Sequence, residues 1–278
     1  VPEKFLSGFS IFIDRCCLVT FFLSYVSRKT VVIYMGKEIN KLDNAQLLAQ
    51  NEDVAPHLPE YHRLSWESLR SMLRKYPVVY AKPVNSCQGK GVMRVERVTH
   101  GYVLKPRDVD RTYRLRTLTA LYQTIQRLKM PRMYLLQQGI PSYTVNGRLF
   151  DIRTHLLRID GEWQIGAIIG RVATARGVAT NAYSGGKPVP IQELLRDHLG
   201  YDQQEQANCI AELTNLSLEA TETFSAAFPR WTEVGLDIGI DEDGQLWIYE
   251  INIKPGMLVF RDDRPSFERI MKMKKLRS

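Results

Sequence analysis

Apolar residues along this chain alternate between helical and strand-like spacings, and the changes mark out its elements. Leu42, Leu47 and Leu48 give residues 40–50 an inward helical face. Trp66, Leu69, Met72 and Leu73 do the same for a helix running to Lys75, with Ser65 as its N-cap. Pro56 and Pro59 mark a loop between these helices. Leu115, Leu118, Leu121, Tyr122, Ile125 and Leu128 form a third stripe, which ends before Pro131. Residues 31–35, 78–82, 92–98 and 133–140 read as strands, with a turn at 89–91. A long hairpin spans 149–159 and 162–172, turning at Asp160-Gly161. Helices follow over 190–199 and 203–228, the first with Pro near its start and Gly200 past its end. Helices mixed with antiparallel strands predict an α+β fold and argue against a doubly wound parallel sheet.

The most informative segment is 237–252, a second hairpin. Asp243-Gly244 suits a two-residue type I′ turn. That turn pairs 242 with 245 and 240 with 247, and sets Asp237 opposite Glu250. Val234, Leu236, Ile238 and Ile240 then face Ile253, Ile251, Tyr249 and Trp247 across an apolar side. The other side holds Asp237, Glu250 and Asn252 beside Gly235 and Gly239. Three oxygen ligands without His or Cys suit a hard divalent ion, Mg²⁺ first and Mn²⁺ as an alternative, shared with substrate phosphates.

Composition narrows the partners. The net charge of +8 and pI near 9.3 favour anions: nucleotide phosphates, acidic polymers, nucleic acid or anionic lipid. Cys16, Cys17, Cys87 and Cys209 form neither paired CxxC spacing nor a disulfide framework, which fits a reduced, cytoplasmic setting. The apolar run 16–27 is shorter than the roughly 20 residues of a membrane span. No clean small-residue cleavage site follows it, so it is expected to pack on the body of the protein. His57, His62, His100 and His198 lack metal-ligand spacing, and a lone His155 reads as structural. Cys87 has no visible activating base, and the basic segment 107–116 reads as a solvated face.

The segment 80–92 is strand, small-residue loop, strand. Its glycines allow backbone N–H groups to close on a phosphate, and Lys82 at the strand end adds a point charge. It is not a Walker A motif, because no Gly-Lys-[Ser/Thr] leads into a helix.

In order and combination these segments resemble the ATP-grasp superfamily, and within it the YheC/YheD proteins, often described as endospore coat-associated. The resemblance runs from near residue 40 to about residue 259. It implies two α+β lobes closing on MgATP. In the nucleotide site it implies Lys41 and Lys82 on ATP phosphates, with Ser86, Gly89 and Gly91 in the covering loop. Gln137, Gln138 and Ile140 then lie at an adenine-binding hinge, and Asp237, Glu250 and Asn252 are the magnesium ligands. The Asp151-x-Arg153 and Arg171…Asn181…Gly-Gly succession is similar to RimK-like amino-acid ligases. It implies phosphate and acyl-phosphate stabilisation by Arg153 and Arg171, with Asn181 near metal or phosphate and Asp151 among the nucleotide-site residues. In the register set by Asp160-Gly161, however, Arg153 and Arg171 emerge on opposite faces; both reach one site only through a bulge.

The implied division is a short N-terminal element over 1–40, a first lobe over 41–131, a second over 132–262, and a basic tail over 263–278. The N-terminal element does not read as a complete βαβ domain, so the grasp lobes alone, or a further region or partner, must hold substrate. The implied activity is an ATP-dependent carboxylate–amine ligase with small-molecule or peptide substrates and an acyl-phosphate intermediate. An ATP-grasp small-molecule kinase and a non-catalytic, ATP-binding spore coat-associated protein are the alternatives; a nucleic-acid partner ranks lower.

Overall fold

The computed structural model describes residues 40–86, 89–174 and 186–276, all within the unit Glu38–Ser278. The expectations for the run 16–27, the strand 31–35, Cys87 and Asn181 lie outside the described residues. In chain order the first elements are α1 (Lys41–Leu48), β1 (Tyr61–Arg63), α2 (Trp66–Lys75), β2 (Val78–Pro83) and β3 (Met93–Val98). β4 (Gly101–Pro106), β5 (Tyr113–Leu115), α3 (Leu118–Leu128) and β6 (Tyr134–Gln138) follow. Six of these strands form an antiparallel sheet in the order β1-β6-β2-β3-β4-β5.

α2 begins where Ser65 and Ser68 cap it reciprocally. It lays Leu69, Met72 and Leu73 on the sheet beside Leu121 and Ile125 of α3. Each such burial contributes about 1.5–3 kcal/mol. Trp66 meets Tyr122 edge-on at 5.7 Å, locking the two helices together. α3 starts one turn later than the apolar stripe suggests, because Thr117 caps it and Leu115 belongs to a strand. The short strands β1, β4 and β5 were not legible in sequence; their residues include a glycine, a proline and charges that resemble loop. β6 belongs to this first sheet, so the changeover between sheets follows Gln138, later than Pro131.

The second half contains β7 (Phe150–Ile159), β8 (Glu162–Val172), β9 (Lys187–Pro190) and α4 (Ile191–Glu193), which runs into a π turn at Leu194–His198. α5 (Gln203–Ala227), β10 (Glu233–Ile240), β11 (Leu246–Ile253) and α6 (Arg264–Leu276) complete it. The sheet order is β11-β10-β7-β8-β9, again antiparallel throughout. α5, capped by Asp202 and Glu205, covers one face, where Ser217 Oγ donates to Thr154 Oγ1 at 3.1 Å. On the opposite face α6 buries Ile270 and Met273 against Leu157, Ile159, Ala167 and Ile169. The basic tail of the sequence is therefore a packed helix. It covers only part of its face and leaves the region around Asp151, Arg153 and Asp237 facing a cleft.

Two irregularities set what faces that cleft. In the long hairpin, Asp160 (φ 50°) and Gly161 (φ 89°) make the expected two-residue turn. The pairing then slips between His155 and Leu156, so that Leu156 faces Ile165 while His155 faces Ala167. Gly166 is the extra residue, and the bulge turns Arg171 to lie opposite Asp151 on the Arg153 face. In the second hairpin the type I′ expectation fails. Asp241 pairs with Gln245 around a three-residue loop, with Gly244 left-handed (φ 82°). A bulge at Tyr249 then restores the register, so Asp237 still lies opposite Glu250. The pairs nearer the loop change accordingly: Ile238 faces Ile248, Gly239 faces Trp247 and Ile240 faces Leu246. Leu246, Ile248 and Ile251 supply the buried apolar face in place of Trp247 and Tyr249.

Space at the Gly166 bulge is tight: a Cβ there would lie 2.7 Å from Leu157 Cδ1 and 3.2 Å from the His155 carbonyl oxygen. Gly166→Val is expected to lower unfolding stability by about 1–3 kcal/mol. Urea denaturation checks this, as a lower midpoint at unchanged m.

Candidate functional site

A cleft of about 800 Å³ lies between the two sheets. It is lined by Lys41, Lys82, Ser86 and Gly89 on one side and by Asp151, Arg153, Arg171, Asp237, Glu250 and Asn252 on the other. Gln137, Gln138 and Ile140 also line it. Each expected site residue among the described ones therefore faces a single cavity, with one exception.

The exception is Gly91, whose amide donates to Asp108 Oδ2 at 2.5 Å. A Cβ at Gly91 would sit 2.7 Å from Tyr134 Oη, and the residue is left-handed (φ 76°). Glycine at this position answers to packing beneath the loop, and its N–H is already used. Ser86 and Gly89 remain on the cleft, and Ser86 Oγ is a buried hydroxyl without a partner among the described residues. Asn44 Oδ1, also on the cleft, is likewise unmatched. Buried polar atoms of this kind call for a polar occupant.

The carboxylates are held in a specific way. Arg171 grips Asp151 with two bonds, Nε to Oδ1 at 2.7 Å and Nη2 to Oδ2 at 2.6 Å. The same guanidinium reaches Asp237 Oδ1 at 2.7 Å, and Arg153 Nε donates to that oxygen at 2.6 Å. Burial opposes ionisation of Asp237, but the guanidinium groups of Arg153 and Arg171 outweigh it and hold the carboxyl well below its ordinary range. Asp237 Oδ2 has only a long 3.4 Å contact with Asn252 Nδ2. Glu250 repeats the arrangement: Oε1 accepts from Lys41 Nζ at 2.6 Å, and Oε2 has no hydrogen-bond partner among the described residues. Asp237 and Glu250 thus each have one oxygen bound to a cation and one open to the cleft, whereas both oxygens of Asp151 are held by Arg171.

Asp237 and Glu250, opposite one another, and Asn252 two residues along form an all-oxygen donor set once the amide presents its oxygen. These residues fit a hard divalent cation. No group of three or more His, Cys, Asp or Glu suited to a metal occurs among the described residues.

Lys41 reaches the cleft differently from its sequence position. α1 begins at the Asn40 cap and is fastened to α5 of the second sheet through Asn51, whose Nδ2 donates to Glu219 Oε1 and Thr223 Oγ1. Lys41 Nζ donates to the Ser86 carbonyl at 2.9 Å as well as to Glu250, and so bridges the loop after β2 and the β10–β11 hairpin. Lys82 makes no ion pair among the described residues and lies 5.6 Å from the Tyr80 ring centre. Desolvation in the cleft wall pulls its ammonium down to about 8, against the opposing pull of Glu250.

At the hinge, Gln137 is buried, with Nε2 donating to Tyr61 Oη at 2.8 Å and to the Tyr249 carbonyl at 3.2 Å. Gln138 Oε1 accepts from the Glu60 amide at 3.1 Å. Both side chains fasten strands, and the main-chain N–H groups of Gln138 and Gly139 are taken up by the Glu60 and Val78 carbonyls. Tyr249 was taken as core in sequence. As the bulged residue it turns into the cleft, shares a 2.6 Å hydrogen bond with Ser142 Oγ, and fills the space above Gly239. His155 is fully buried, with Nε2 3.1 Å from Glu233 Oε1 and its ring edge-on to Phe260, as a structural histidine. Cys209 is a buried free thiol remote in role from the cleft, pushed up to about 12 by burial.

Two antiparallel sheets with covering helices, facing each other across a basic cleft, are the architecture of an ATP-grasp protein. D-alanyl-alanine synthetase A from Vibrio cholerae has the same fold, with a TM-score of 0.50 at 11% identity over 83% of this chain and 62% of that one. The chain belongs to the YheC/D-like ATP-grasp family, whose model matches residues 33–275. It is 26% identical to endospore coat-associated protein YheD of Bacillus subtilis (strain 168), over 86% of this chain and 52% of that protein. It is 24% identical to YheC of the same organism, over 75% of this chain and 58% of that protein. The chain spans a little over half the length of these relatives. No described helix is long and apolar enough to cross a membrane.

The buried bridge of Arg171 predicts a large mutational effect. Arg171→Met leaves Asp151 buried without its cation and is expected to cost about 3–5 kcal/mol. Adding Asp151→Leu is expected to recover part of that loss. Denaturant titration of the four proteins of the cycle measures the coupling.

Proposed function

We propose that this chain binds MgATP between its two sheets and joins a carboxylate to an amine through an acyl phosphate. The observation that supports this best is the pair Asp237 and Glu250, each with one oxygen tied to a cation and one open, in the same cleft as Lys82. Mg²⁺ bound on Asp237, Glu250 and Asn252 would supply a Lewis acid for phosphate oxygens.

In this reading Lys82 and Lys41 attract the nucleotide phosphates, and Lys41 exchanges its Glu250 contact for them. Main-chain groups around Gln138 receive the base, between Ile140 and Tyr249. Arg153 and Arg171, anchored by Asp151 and Asp237, lie beside the transferred group and offset the charge that builds on it. A carboxylate oxygen of the substrate attacks the γ-phosphorus while the bond to the bridging oxygen breaks, and ADP leaves. The amine nitrogen then adds to the acyl carbon, the carbon–oxygen bond to phosphate breaks, and the nitrogen gives up a proton. Asn181 is assigned a place near metal or phosphate on the motif alone. Spore-coat association, stated in the names of both relatives, extends the proposal to location.

Incubation of the purified protein with Mg²⁺, ATP and mixed acids and amines, read by mass spectrometry, tests the reaction. A product lighter than its two reactants by one water is expected, with ADP and phosphate in equal amount. A stable phosphoester would replace the ligase reading with a kinase, and no ATP-dependent product at all would remove catalysis. Glu250→Gln is expected to lower turnover by about 10²-fold or more, as for loss of one preorganised electrostatic group. Activity at the parent level in that variant would contradict the metal assignment.

Lys82 predicts the pH dependence of nucleotide affinity. It is charged below about 8 and neutral above, so attraction for phosphate is lost as pH rises through that value. The Kd for MgATP is expected to weaken by up to about tenfold per pH unit above 8. Lys82→Arg keeps its charge and is expected to flatten the profile in calorimetric titrations between pH 7 and about 9.5.

A further inference from the structure

The cleft continues past the metal residues. Along β11 the side chains run from Tyr249 at the hinge end, through Glu250 and Asn252, to Lys254 just beyond the strand. Lys254 lies roughly 7 Å past Asn252 at extended-chain rise. It is left-handed (φ 47°), an uncommon conformation for a residue with a side chain, as the chain turns into Pro255 and Gly256. Arg230, in the turn before β10, lines the same end of the cleft.

Six basic side chains line the cleft against three carboxylates. Lys41, Arg153 and Arg171 are committed to Glu250, Asp237 and Asp151. Lys82 stands ready for phosphate. Arg230 and Lys254 have no carboxylate partner among the described residues, yet both rest on one indole: Arg230 lies 4.8 Å and Lys254 5.2 Å from the ring centre of Trp231. Both side chains are exposed at the cleft, and the aromatic face that holds each supplies no anion.

We propose that Arg230 and Lys254, carried on Trp231, form an anion subsite for the acceptor end of the cleft, and that the substrate there is an acidic amino acid or acidic peptide. This rests on the ligase reading for which end of the cleft receives substrate. One carboxylate of such a molecule would lie near the metal residues, and a second would reach the Arg230–Lys254 pair. A monocarboxylic substrate would leave both cations unmatched.

Binding of L-glutamyl-L-glutamate and of its uncharged-side-chain counterpart L-glutaminyl-L-glutamine, measured by calorimetry without nucleotide, separates the subsite from catalysis. The acidic peptide is expected to bind at least tenfold tighter. Arg230→Gln and Lys254→Gln are each expected to weaken it five- to tenfold, and the double variant to abolish the preference. Arg230→Lys, which keeps the charge, is expected to retain most of it, and unfolding midpoints identify any variant that fails to fold. γ-Carboxylates are separated from phosphate by repeating the titration with inorganic phosphate, which is expected to compete only weakly. Equal binding of the two peptides, binding of neither, a preference that survives in the double variant, or strong phosphate competition overturns the proposal. Charge-dependent peptide binding without ATP-dependent product would leave this subsite standing and remove the ligase reading instead.

Discussion

The guanidinium of Arg171 ties together three strands that would otherwise bring uncompensated charge into one buried face. It binds Asp151 on β7 twice and Asp237 on β10 once, from β8. Removing it would leave carboxylates in a poorly solvated wall, where they would take up protons or push the sheets apart. Because Arg153 and Arg171 are both present, Asp237 stays ionised and turns one oxygen outward. The electrostatics of the site are thus set before any ligand arrives, and a ligand need not bear the cost of organising them.

That arrangement depends on two bulges. Gly166 rotates the end of β8 so that Arg171 faces Asp151, and Tyr249 rotates the second half of β11 so that Glu250 faces Asp237. A strand's side chains alternate, so one inserted residue exchanges its faces. Without the first bulge Arg171 would point into the α5 side of the sheet. Without the second, the three-residue loop at 242–244 would set Glu250 toward the core.

Local signals in the sequence were legible where the chemistry is local. Ser65 caps α2 through its own hydroxyl, and Asp160-Gly161 turns because both residues adopt positive φ. The antiparallel α+β character and the gathering of Lys82, Arg153, Asp237, Glu250 and Asn252 into one cleft were also legible, because hairpin registers and motif order encode them. Tyr249 was misread: a tyrosine in an apolar run looks like core, and nothing nearby in sequence signals the Ser142 hydroxyl that meets it. The loop at Asp243-Gly244 and its compensating bulge gave the right partner for Asp237 through two offsetting errors. The approach of Lys41 from the α5 side depends on Asn51 reaching Glu219 and Thr223, contacts between residues far apart in the chain.

Function in this account is a matter of two surfaces with matched charge: a lysine on the first sheet and two half-neutralised carboxylates on the second, sharing one triphosphate. Mn²⁺ in place of Mg²⁺ makes that sharing directly visible, because its unpaired electrons broaden the resonances of nearby nuclei. With ATP present, Mn²⁺ is predicted to broaden the side-chain resonances of Lys82, and Asp237→Asn combined with Glu250→Gln is predicted to sharpen them again. A Lys82 signal that stays sharp with Mn²⁺ and ATP, or broadening unchanged in that double variant, would contradict the account.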